Sequence, residues 1–154
     1  MMMGVEIRAA ERSDIAAIAA MFAQDQLGGH GDSADPADLP AYLAAFDRIS
    51  ASPNDQLFVA VLDGEVVGTF QTTLITSLTG KGSSSLTIEA VHTRDDMRGN
   101  GIGHAMITHA IEQGRQNGAR LVQLMSNATR TDAHWFYTRL GFSQSHLGFK
   151  MKLR

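Results

Sequence analysis

The stretch Arg98-Gly99-Asn100-Gly101-Ile102-Gly103 constrains this chain most, because of what stands on either side of it. Upstream, Leu86 to Val91 is rich in β-branched and apolar residues and alternates; downstream, Ile102, Ala105, Met106 and Ala110 recur at helical spacing. The unit reads as strand, glycine loop, helix. Gly99, Gly101 and Gly103 let the backbone approach a ligand closely and present consecutive N–H groups with no side chain in the way. Those amides sit at the positive end of a helix, a natural seat for phosphate, so the expectation is an anion and specifically a pyrophosphate. A glycine turn serving geometry alone is the competing reading. Two familiar phosphate loops are excluded: the dinucleotide fingerprint needs glycine where His104 stands, and a nucleotide P-loop needs glycine at Ile75 and Ser or Thr at Gly82.

Around this unit the rest of the chain falls into order. Val5 to Arg8 reads as a first strand, and Ser13 is placed to cap a helix with Ile15, Ile18, Ala19 and Phe22 on one face. Asp25 to Pro36 is an aperiodic loop, followed by a second helix with Leu39, Tyr42, Leu43 and Phe46 in one stripe. Leu57 to Leu62 and Val66 to Thr76 flank Asp63-Gly64, a strong hairpin signal. Thr79 to Ser83 turns into the strand bearing Glu89. After the glycine loop a helix runs to Asn117 and stops at Gly118, and Leu121 to Met125 returns as a strand parallel to that of Glu89. Thr131 or Asp132 caps a last helix ending at Leu140-Gly141, and Phe142 to Leu153 reads as two short strands. The fold class is α/β: one mixed sheet with helices on both faces, in a single domain over residues 1–154.

R/Q-x-x-G-x-G/A is met by Arg98, Gly101 and Gly103. His134-Trp135-Phe136-Tyr137-Thr138-Arg139-Leu140-Gly141-Phe142 near the C-terminus matches a second pattern, F-Y-x-x-x-G-F. In these two segments and their order, the chain resembles the GCN5-related N-acetyltransferase (GNAT) family from about Val5 onward. The resemblance implies a mostly antiparallel sheet whose one parallel pair splays around acetyl-coenzyme A. It implies that Arg98, Gly99, Asn100, Gly101, Ile102 and Gly103 wrap the pyrophosphate, that the backbone of Val91, His92 and Thr93 pairs with pantetheine as an extra strand edge, and that Asn127 and Phe136 add contacts.

It also implies the chemistry. Glu89, a mid-strand carboxylate in apolar company, is expected as the general base for the incoming amine, directly or through water; alone, such a residue is more often an exposed edge or ion-pairing glutamate. Tyr137 is expected to protonate the departing thiolate; by spacing alone, Ala133, Phe136, Tyr137 and Leu140 are a core stripe. On strand alternation, Thr87, Glu89 and Val91 share one face.

The chain has no cysteine, which removes an acyl-cysteine intermediate and leaves direct transfer. Its six histidines show no ligand spacing, so no metal is expected. A net charge of −3 argues against nucleic acid as main partner. Met1 to Gly4 lacks the charge and length of a signal peptide, and no apolar run is long enough for a membrane span, so a cytoplasmic enzyme without membrane association is expected. The partner is a small-molecule or peptide amine, with a homodimer possible. Asp25, Asp32 and Asp35 leave their loop acidic, which would favour a cationic acceptor, a solvated loop of aspartates being the equal alternative. Competing functions are a non-catalytic acyl-coenzyme sensor, a transferase for longer acyl groups, and a scaffold in which the glycine loop is only a turn.

Overall fold

The computed structural model describes residues 4–25 and 30–154. Its strands are β1 (Glu6–Ala9), β2 (Asp55–Leu62), β3 (Glu65–Thr76), β4 (Ser84–Thr93) and β5 (Leu121–Leu124). Its helices are α1 (Ile15–Gln24), α2 (Leu39–Ala51), α3 (Ile102–Gln116) and α4 (Thr131–Arg139). The sheet keeps chain order, β1-β2-β3-β4-β5, antiparallel except for the β4–β5 pair. That exception follows from the α3 crossover, whose length carries the chain back to the starting edge.

Alternation along β2 builds the two cores. Phe58, Ala60 and Leu62 meet Phe70, Leu86, Ile88, Ile102, Met106 and Ile107 on the α3 side, while Val59 meets Ile15, Ile18 and Met21 of α1 on the other. The stripe Leu39, Tyr42, Leu43 and Phe46 of α2 packs against this second cluster as its spacing predicts. The β2–β3 hairpin turns at Asp63 and Gly64, both at positive φ.

Three expectations are corrected. Ser13 is not the helix cap: it lies in a 3-10 turn (Arg12–Asp14), where the buried Asp14 carboxylate accepts the Glu11 N–H at 2.7 Å and a two-pronged ion pair from Arg8 at 2.7 and 3.0 Å. Asp14 wins because a carboxylate serves the orphan amide and the guanidinium together, and Arg8 holds its pKa below the ordinary value. Neither Thr131 nor Asp132 caps α4; Arg130 occupies that position. Finally, 143–154 forms no strand: Leu147, Phe149, Met151 and Leu153 alternate as read, but each is at least 84% exposed and has no strand to pair with. The segment Asp25 to Pro36 falls partly outside the described residues; 30–35 is irregular and Pro36–Asp38 is a 3-10 turn.

The α3–sheet contact is tight at Gly114, where an added Cβ would stand 2.9 Å from a Val122 methyl. Gly114→Val should therefore overpack the interface by about 2 kcal/mol and lower the melting temperature by roughly 4–8 °C. Calorimetry showing no fall would mean that β5 yields freely.

Candidate active site

β4 changes phase midway, and this determines what faces the site. Ala90 takes a positive φ of 52°, and Ala90 and Val91 together oppose Phe70 between the pairs Gln71↔Glu89 and Thr69↔His92. This is a β-bulge, and it turns the strand by one residue. The expected common face for Glu89 and Val91 is therefore corrected: Val91 packs into the α3-side core, and His92 takes the α1 side with Glu89. Pairing with β5 stops just before the bulge, at Ile88↔Leu124. Beyond it, the β5-facing edge of Glu89 to Thr93 has no strand partner among the described residues, the splay that the resemblance implies.

The gap leads to the glycine loop. Gly99 and Gly101 have φ of 80° and 81°, and Gly101 is the N-cap of α3. Ala105 N–H donates to Gly101 O, but the amides of Gly101, Ile102, Gly103 and His104 make no backbone hydrogen bond among the described residues. Those free donors at a helix start fit an anion. Gly103 is close to the ring of Phe136, which would stand 3.3 Å from an added Cβ. Phe136 in turn lies edge-on to Tyr137, with ring centroids 5.2 Å apart. The two sequence patterns thus converge on one place.

Other side chains of the loop are committed locally. Arg98 pairs with Asp95 at 2.9 Å, and Asn100 Nδ2 donates to the Met97 and Arg98 carbonyls. Asn127 Oδ1 accepts from the Thr129 N–H and hydroxyl, and its carbonyl accepts the Arg130 N–H. This turn leads the chain into α4. Asn127 Nδ2 makes no hydrogen bond among the described residues.

Tyr137 is held between Phe136 and Phe142, and burial raises its pKa against the opposing charge of Arg130. Its hydroxyl makes no hydrogen bond among the described residues. Glu89 is exposed and sits at the last residue before the bulge.

An ion cluster not anticipated from the sequence closes the α1 side. Arg130 Nη2 reaches both Asp25 carboxylate oxygens, at 2.9 and 2.7 Å, and His92 Nε2 stands 3.8 Å from Asp25 Oδ2 and edge-on to Phe22. The end of α1, β4 and the start of α4 are tied together. Asp32 accepts the Tyr42 hydroxyl at 2.7 Å and Asp35 accepts the Ala37 N–H, so all three aspartates of the acidic segment are engaged. Among the described residues there is no bare carboxylate cluster at this place. Only the 105-residue separation of Asp25 and Arg130 hid this pairing; sequence pattern carries no signal at that range.

His92 and His109 are both held below the ordinary imidazole value, burial being the largest cause. For His92, Asp25 and Asp32 oppose the shift, while Arg130 and Arg98 add to it. The unfolded chain therefore takes up protons first as pH falls. Stability should be complete above about pH 6.5 and decline below it, through the lower folded-state values. His92→Asn should flatten part of that slope in denaturant titrations, whereas an unaltered slope would show no burial penalty at this position.

Among the described residues no helix is long and apolar enough to cross a membrane. Residues 16–142 match the model of the acetyltransferase (GNAT) family. An aminoalkylphosphonate N-acetyltransferase of Salmonella typhimurium is 34% identical over 116 residues, 75% of each chain. A solved structure described as a transcriptional regulator from Bacillus halodurans C-125 superposes with a TM-score of 0.93 at 38% identity, covering 97% of this chain and 99% of that one. A Trypanosoma brucei acetyltransferase gives 0.79 at 25% identity, covering 97% and 99%.

Proposed function

Because this chain belongs to the acetyltransferase (GNAT) family, we propose that it is a cytoplasmic single-domain enzyme moving an acetyl group from acetyl-coenzyme A directly to a primary amine. The observation that carries this reading is the run of amides from Gly101 to His104 that make no backbone hydrogen bond among the described residues, reached by the chain directly after the β4 edge that β5 leaves unpaired. The amides hold the coenzyme pyrophosphate, and Val91, His92 and Thr93 offer main-chain partners to pantetheine. That lays the thioester near Glu89 and Tyr137. A small aminoalkyl acceptor is in keeping with the relative from Salmonella.

Glu89, solvated at the mouth of the gap, takes the ammonium proton through water, and the neutral amine attacks the thioester carbonyl. Backbone N–H groups near Val91 receive the developing oxyanion. Tyr137 gives its proton to the sulfur as the C–S bond breaks, and the second proton released from the attacking nitrogen restores the phenol through water; its raised pKa keeps the phenol protonated until the thiolate forms. Holding both substrates in line supplies much of the rate.

A panel of primary amines, with release of free thiol from acetyl-coenzyme A as readout, tests the reading: amine-dependent release is expected. Tight coenzyme binding with no release would establish a sensor instead. Glu89→Gln should lower kcat/KM by about 100-fold, and an unchanged kcat/KM would take Glu89 out of the role of base.

A further inference from the structure

Joining a primary ammonium to an acyl group takes two protons from one nitrogen, and a carboxylate that holds the first cannot receive the second. On the reading proposed above, Glu89 takes the first, and the second comes free as the C–N bond forms. β4 carries one other titratable side chain, His92. The pairs Gln71↔Glu89 and Thr69↔His92 lie two residues apart on β3, so the two side chains stand roughly 7 Å apart along one side of the sheet. The bulge at Ala90 is what brings His92 to that side.

Its surroundings keep this imidazole neutral and oriented. The ring lies edge-on to Phe22 at 4.9 Å, and the side chain is 20% exposed. Asp25 Oδ2 stands 3.8 Å from Nε2, too far for a hydrogen bond but near enough to favour the proton on that nitrogen, so Nδ1 keeps the lone pair. Nδ1 makes no hydrogen bond among the described residues. Besides Glu89 on its own strand, the charges around the ring are Asp25 at the end of α1, Asp32 of the irregular segment, Arg98 of the glycine loop and Arg130 at the start of α4. Arg130 also acts on Tyr137, so the imidazole and the phenol share the field of one cation.

We propose that Nδ1 of His92 accepts the second proton from the attacking nitrogen and passes it through water to the Tyr137 phenolate. The inference rests on the acetyl-transfer reading and completes its proton balance. Glu89 takes one proton from the ammonium and releases it to solvent. The C–N bond forms, and the cationic nitrogen of the tetrahedral adduct gives its second proton to His92. The C–S bond breaks, its electron pair leaves with sulfur, and Tyr137 protonates the thiolate. The imidazolium then returns a proton to the phenolate, so one proton reaches solvent per turnover and ring and phenol are both restored. That return is downhill, because burial lowers the imidazole pKa and raises that of the phenol. Asp25 is a positioning residue that holds the tautomer.

Thiol release from acetyl-coenzyme A with the most active amine of the panel tests it. His92→Gln should lower kcat by roughly 10–100-fold and leave the KM for acetyl-coenzyme A unchanged. In His92→Ala, added imidazoles should restore the amine-dependent rate, and the rescue should grow with the pKa of the imidazole supplied, which a merely structural role would not produce. Asp25→Asn keeps the ring in place; since Asp25 opposes the lowering of the His92 pKa, its loss should move the acidic limb of kcat to lower pH. Full kcat in His92→Gln, rescue indifferent to imidazole pKa, or an unmoved limb in Asp25→Asn would each overturn the inference and leave acetyl transfer standing. A wild-type protein without amine-dependent release would sink that reading and this one together.

Discussion

Tyr137→Phe is expected to lower kcat by about 100-fold or more, the range for loss of a positioned general acid, while the affinity for acetyl-coenzyme A stays nearly unchanged. The substitution removes one oxygen and leaves the ring, so the contacts with Phe136 and Phe142 that place it survive. No hydrogen bond among the described residues is lost from the folded state with that hydroxyl, so stability should not fall. Its role is therefore separable from its packing, which is rarely true of a half-buried tyrosine. Because burial raises the pKa, the wild-type enzyme should show no alkaline loss of kcat until about pH 10 or above. Pre-steady-state thiol release separates chemistry from product departure. Unaltered turnover in the variant would remove Tyr137 from the mechanism.

Gly101→Val should raise the KM for acetyl-coenzyme A by roughly 10–100-fold. At a φ of 81° a β-branched residue costs about 1–2 kcal/mol, and the loop relieves that strain by rotating the amides that open α3. The thermal readout is direct. A coenzyme at 100 times its Kd stabilises by about 2.7 kcal/mol, whereas at its Kd it stabilises by only about 0.4 kcal/mol; a hundredfold weaker variant at the same concentration should lose most of the shift. Gly118→Val is the control, since Gly118 has a similar φ of 69° with nothing near its added Cβ, just past the C-terminal end of α3, the end opposite the loop. Equal loss of the coenzyme-induced shift in both variants would mean that general strain, not the anion seat, is responsible.

What the sequence made legible was local. The strand, glycine loop and helix around Arg98 to Gly103 were readable because each element declares itself within a few residues, and so was the Asp63-Gly64 hairpin. The α4 stripe placed Phe136 and Tyr137 correctly, though only the folded chain sets Phe136 on Gly103. The bulge at Ala90 was not readable: alanine carries no mark of a positive φ, and strand alternation assigns Val91 to the wrong side without it. The side chain of His92 was missed for the same reason, having been expected to contribute only backbone. Asp25 and Arg130 were missed because nothing local joins them. Alternation in 143–154 was seen, but alternation reports a strand's faces and not the presence of a neighbour.

The extra residue in β4 means that the strand is read in two frames, one serving the core and one serving the reaction. Up to Ile88 the alternation buries Leu86 and Ile88; after Ala90 it restarts, so that Val91 still faces inward while His92 joins the side of Glu89. What matters at Ala90 is its positive φ, which a β-branched side chain would resist. Flattening that residue into ordinary strand geometry would drive an imidazole toward the core of Met106 and turn a valine out toward Phe22, whereas deleting it would keep both on their present sides and remove only the bulge, so this segment tolerates loss of a letter better than loss of its kink.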